Sequence, residues 1–130
     1  MTPPTLSEIA GSLKRDTEWL TARAVEAWVQ QNIKWVFYYH PRDLDVTWRT
    51  KEGDCTDMAM LMKEMLELNG ITSHIVHGYG TWAIPNKGEQ KVKHDWLMAA
   101  IHAIDNTVRD IQYDGVRECL KYELVGDGFW

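Results

Sequence analysis

At Asn69-Gly70 the hydrophobic pattern of the chain changes period. Before it, Met58, Ala59, Met62, Met65 and Leu66 recur at spacings of three and four, which is a helix with one buried face. After it, from Ser73 to Tyr79, Ile75 and His77 fall on one side of an extended segment and His74, Val76 and Gly78 on the other. A chain whose helices come first and whose alternating segments follow does not interleave strand and helix as a parallel sheet does. It predicts an α+β fold, with helices packed on a small antiparallel sheet. At 130 residues and 45% hydrophobic composition there is material for one core, so residues 1–130 are expected to form a single domain.

The helices can be placed from their caps. Thr5-Leu6-Ser7-Glu8 is a capping-box pattern and predicts a first helix from Leu6 to about Arg15. A second is expected over Asp16 to Lys34, with Val25 and Trp28 facing inward. Trp35 to Tyr39 reads as a short extended connection that His40-Pro41 stops, and Pro41 to Gly53 as a polar loop. The third helix runs from Cys55 to about Leu68, and Asn69-Gly70 ends it. Beyond the first strand, Gly80 to Lys91 is expected to be a connection. Val92 to Ala103 reads as a second strand, with His94, Trp96, Met98, Ala100 and His102 on one face. Asp105-Asn106 is the expected turn and Thr107 to Tyr113 the third strand; the tail from Gly115 to Trp130 is ambiguous, a short helix over Val116 to Tyr122 being one reading.

Composition excludes some partners. The net charge of -5 is spread without a basic patch, which argues against nucleic acid. No stretch approaches the roughly 20 apolar residues that span a bilayer, and no basic segment leads into an apolar run at the start. A cytoplasmic location is therefore expected, with Cys55 and Cys119 as thiols. Seven tryptophans are more large rings than a small core readily buries, so some should line a groove.

Chemistry concentrates at Gly53-Asp54-Cys55-Thr56-Asp57. Asp54 is a good N-cap and Asp57 can reach back to it, which sets Cys55 at the first helical position. Unpaired N–H groups and the positive end of the helix dipole favour negative charge there. A cysteine at such a place is either a nucleophile or a small buried hydrophobe. A nucleophile needs a base and a group to orient it, and His94 with an aspartate on the neighbouring strand could supply both. His74 and His77 are three apart on a strand and point to opposite sides, so no metal site is expected of them, and Cys119 is assigned a structural role.

The order Gly53-Asp54-Cys55-Thr56-Asp57, Asn69-Gly70-Ile71, Gly78-Tyr79, His94 with Trp96, and a later aspartate resembles the transglutaminase-like superfamily, a branch of the papain-like cysteine enzymes. The similarity runs from about Ala24 to Tyr113. It implies a Cys-His-Asp triad on a helix packed against an antiparallel sheet, with Cys55 as nucleophile, His94 as general base and acid, and reaction through a thioester. The third member is Asp110 on the family spacing, sixteen residues beyond His94, or Asp114 if a tight turn sits at Asp105-Asn106. The second oxyanion donor in some relatives is a tryptophan, which points to Trp48; the alternative is that Trp48 packs under the loop.

The expectation is an enzyme without cofactor or metal that attacks a carboxamide or peptide bond of a protein or peptide, hydrolysis being favoured over transamidation. The alternative is a non-catalytic module that binds a peptide in a groove of Trp48, Trp82 and Trp96. Oligomeric state and substrate identity stay open.

Overall fold

The structure, a computed structural model, describes residues 2–36, 42–84, 87–99, 102–104, 109–110, 115–116 and 119–130. Helix α1 (Leu6–Ser12) starts at the expected capping box of Thr5 and Glu8 and stops short of Arg15. Helix α2 (Glu18–Asn32) is capped by the Thr17 side chain and buries Ala22, Val25 and Val29. Strand β1 (Lys34–Trp35) then leads toward the segment expected to be a loop, which instead contains helix α3 (Leu44–Thr50). Leu44 and Trp48, four apart, supply its inward face with buried Thr47. Apart from Val46 its remaining residues are polar, which hid the helix in the pattern.

Strand β2 (Glu52–Gly53) pairs in parallel with β1, and Val36 N–H donates to the Gly53 carbonyl at 3.0 Å. The end of α2 is thereby fastened to the residues that precede the cysteine. Helix α4 (Cys55–Glu67) follows, with Met58, Leu61, Met62, Met65 and Leu66 at most 2% exposed. Together with Val25, Val29, Ile33, Leu97 and Ala99 they form the main core.

Strands β3 (Ser73–Ile84) and β4 (Gly88–Ala99) make one long antiparallel hairpin, in register from Ser73 opposite Ala99 to Ile84 opposite Gly88. The expected connection Gly80 to Lys91 is thus mostly strand. Strand β5 (His102–Ile104) turns straight back on β4, pairing His102 with Ala99 and Ile104 with Leu97. The chain therefore reverses before Ala103, earlier than Asp105-Asn106, and His102 does not share a strand with His94. Strands β6 (Arg109–Asp110) and β7 (Gly115–Val116) pair with each other in a separate ribbon. Of the expected third strand, Thr107, Val108, Ile111, Gln112 and Tyr113 lie outside the described residues.

The tail, ambiguous in the sequence, is extended from Cys119. Strand β8 (Cys119–Asp127) occupies part of the expected helix and pairs with β3, giving the sheet order β5-β4-β3-β8. Leu120, Tyr122 and Leu124 alternate with Lys121 and Glu123, and the open edge of β3 supplies the hydrogen-bonding partner that local sequence cannot show. Gly78 permits the close approach of β3 and β8: a Cβ there would lie 2.1 Å from the Glu123 carbonyl oxygen and 2.8 Å from the Trp96 ring.

Leu66→Ala should lower unfolding free energy by about 2–5 kcal/mol through the cavity it leaves. The exposed Leu68→Ala should change it by less than about 0.5 kcal/mol in the same urea titration. Hydrogen bonds first from Lys91 and then from Lys121 hold the Glu123 carboxyl below the usual carboxylate range. A depressed folded pKa stabilises above the unfolded value and is lost as pH falls through the folded one. The melting-temperature gap between wild type and Glu123→Gln should therefore close on acidification.

Candidate active site

Cys55 is the first residue of α4 and is half-exposed at the end of the buried stripe, so it is not a core residue. Its turn is held from both sides. Asp57 N–H donates to the Asp54 carboxylate at 3.1 Å, and Asp54 N–H donates to the Asp57 carboxylate at 3.2 Å. Asp57 is 1% exposed, so its charge needs compensation. The backbone N–H of Arg42 donates to its Oδ1 at 3.1 Å, and the guanidinium Nε stands 3.7 Å from Oδ2. The same guanidinium donates to the Glu52 carbonyl. Gly53 lets the incoming chain lie flat on this turn, since a Cβ would sit 2.7 Å from Asp57 Cβ and 3.3 Å from the Thr47 methyl.

The next residue ties the helix to the sheet. Thr56 Oγ1 donates to Asp95 Oδ2 at 2.6 Å. Cys55 and His94 therefore flank one hydrogen bond, each as the neighbour of a bonded residue. Asp95 Oδ1 also accepts from the backbone N–H of Trp130 at 3.3 Å. The Trp130 indole N–H donates to the carbonyls of Gly78 at 3.0 Å and His94 at 3.2 Å.

Side-chain alternation sorts β4 into two faces. Asp95, Leu97 and Ala99 face α4, by the Thr56 bond and by membership of the main core. His94 and Trp96 face the other way. The His94 ring is 3% exposed, stacked 5.7 Å from Trp96 and 6.3 Å from Tyr122, with the edge-to-face ring of Trp82 at 5.1 Å. The structure thus joins the Cys55 turn to the His94 strand while enclosing the imidazole among aromatic rings on the opposite face. Of Asp110 the backbone alone is described, in the β6–β7 ribbon, and Asp114 lies outside the described residues.

The tryptophans expected to line one groove are divided. Trp48 stacks on Trp28 at 5.6 Å against the helical core, with the Lys51 ammonium 3.5 Å from the centre of its ring. Burial pushes the Lys51 pKa below its ordinary value. Trp82 and Trp96 are 5% and 2% exposed and pack on the far face with His94, so the three cannot form one groove. Among the described residues, the Trp82 indole N–H is buried without a hydrogen-bond partner. Among the described residues no His, Cys, Asp and Glu cluster could hold a metal ion, and no helix is long and apolar enough to cross a membrane.

Sequence reasoning missed Thr56, Asp95 and Trp130. Asp95 carried a usable signal: it stands between His94 and Trp96 in register with Leu97, where a carboxylate on a buried face requires partners. Trp130 carried none, because its contacts are made across the sheet.

Comparison with known proteins agrees with this architecture. The sequence profile of the transglutaminase-like superfamily matches residues 6–122. A candidate cysteine protease from Cytophaga hutchinsonii superposes with a TM-score of 0.63 at 12% identity, covering 95% of this chain and 41% of its own. A structure named as a TGase superposes with a TM-score of 0.59 at 17% identity, covering 91% of this chain and 33% of its own. The chain thus spans less than half the length of either structure. No curated protein matches it. With the family profile matched along most of its length, by a helix-borne cysteine and an antiparallel sheet, the chain belongs to the transglutaminase-like superfamily.

Proposed function

We propose that the chain is a cysteine-dependent acyl-transfer enzyme that attacks a carboxamide or peptide bond through a thioester, with hydrolysis favoured over transamidation. The observation that carries this reading is the half-exposed Cys55 thiol at the first position of a doubly capped helix, bonded by its neighbour to the strand of His94. The Cys55 sulfur attacks the acyl carbon, and the Cys55 backbone N–H, unpaired within its helix by position, faces the developing oxyanion. His94 takes the thiol proton and returns it to the leaving amine, after which water, or an amine, opens the thioester.

Asp110 is the preferred orienting group. The choice rests on the family spacing, since Asp110 stands sixteen residues beyond His94. Trp48, packed on Trp28 beside α3, is kept as a candidate oxyanion donor, while Trp82 and Trp96, buried around His94, would hold that ring rather than touch substrate.

One observation favours a second reading, a non-catalytic peptide-binding module. The His94 ring is enclosed by Trp82, Trp96 and Tyr122 on the face away from α4. Catalysis requires that ring to meet the Cys55 sulfur. Binding requires only a partner for the Trp82 indole N–H, such as a peptide carbonyl.

Mass spectrometry of a peptide library incubated with the protein, with and without a primary amine, separates the readings. The enzyme reading expects amide loss, cleavage or amine incorporation, which falls by a factor on the order of 10³ or more in Cys55→Ala and persists in Cys119→Ala. An unchanged library with both proteins, together with retention of peptides that Trp82→Phe releases, would establish the binding module instead.

A further inference from the structure

Resting on the enzyme reading, we infer that Asp95 is a positioning residue: through Thr56 it fixes the first turn of α4, and with it the Cys55 sulfur, against the strand that carries His94. Asp95 is 6% exposed on the core face of β4, two residues from Leu97. A carboxylate there is costly unless bonded, and both oxygens are bonded, one by the Thr56 hydroxyl and one by the Trp130 backbone N–H. The Thr56 contact, at 2.6 Å, lies in the short range of a hydroxyl donating to a carboxylate.

The core around α4 has a different character. Met58, Met62 and Met65 share it with Leu61, Leu66, Leu97 and Ala99, and apolar packing of this kind is not directional. The Thr56 bond is directional, and β-branched Thr56 has few ways to make it. It lies at the one end of the helix where a shift of an ångström would move the nucleophile. Trp130 secures the other side of the junction, since its indole N–H donates to the Gly78 and His94 carbonyls of the same strand pair.

The test is the rate of iodoacetamide alkylation, read separately at Cys55 and Cys119 by peptide mass spectrometry and normalised to the folded fraction from urea unfolding. Wild-type Cys55 should react faster than Cys119. Thr56→Val, which keeps the shape and removes the donor, should slow Cys55 by roughly tenfold through lost orientation, and Thr56→Ser should restore it. Thr56→Ala removes the same donor with better helix propensity and should match Thr56→Val, so the test stands even where the valine variant folds poorly. Folded Thr56→Val and Thr56→Ala proteins that react as fast as wild type, or a Thr56→Ser protein as slow as they are, would overturn the positioning role alone. Wild-type Cys55 reacting no faster than Cys119 would overturn the enzyme reading and this inference with it.

Discussion

The start of α4 depends on a reciprocal pair of hydrogen bonds between Asp54 and Asp57. They satisfy two of the N–H groups that a helix start leaves without partners, and they do so with charged acceptors at the positive end of the dipole. Because Asp57 is also bonded to Arg42, the cap reaches outward to the chain before α3 and, through the Glu52 carbonyl, to β2. One buried carboxylate therefore organises the approach to Cys55. The thiol is left half-exposed on a turn whose backbone is fixed from three directions: the cap, the parallel β1–β2 pair and the Thr56 bond to β4.

Local rules account for the parts of the fold that were legible in the sequence. The change of period at Asn69-Gly70 marked the step from helix to sheet, and the caps at Thr5 and Asp54 marked helix starts within a residue. The hidden parts depend on distant contacts. Helix α3 shows few apolar residues because it needs only Leu44, Thr47 and Trp48 to dock. Strand β8 reads equally well as a short helix until the edge of β3 is known to be open to it. The reversal into β5 comes before Ala103, and nothing local distinguishes that place from Asp105-Asn106.

The candidate site divides in the same way. Cys55 was legible because capping chemistry is local. His94 was legible through its order after the cysteine and its place beside Trp96, but not the direction of its ring. That direction follows from the register of β4 against the core, which puts Leu97 and Ala99 toward α4 and His94 among Trp82, Trp96 and Tyr122. The sheet thus has two different faces, one that packs on the helix of Cys55 and an aromatic one that holds the imidazole. Membership of the superfamily fixes the fold. Substrate choice belongs to the site a fold carries and not to the fold itself.

The most direct measurement of the central claim is the covalent intermediate itself. The protein is mixed with carboxamide-containing peptides, quenched in acid within milliseconds to seconds, and digested for mass spectrometry with and without hydroxylamine. The account predicts an acyl group on Cys55 that hydroxylamine removes and that His94→Ala fails to accumulate. Acylation confined to Cys119, or none on Cys55 while substrate is consumed, would contradict it.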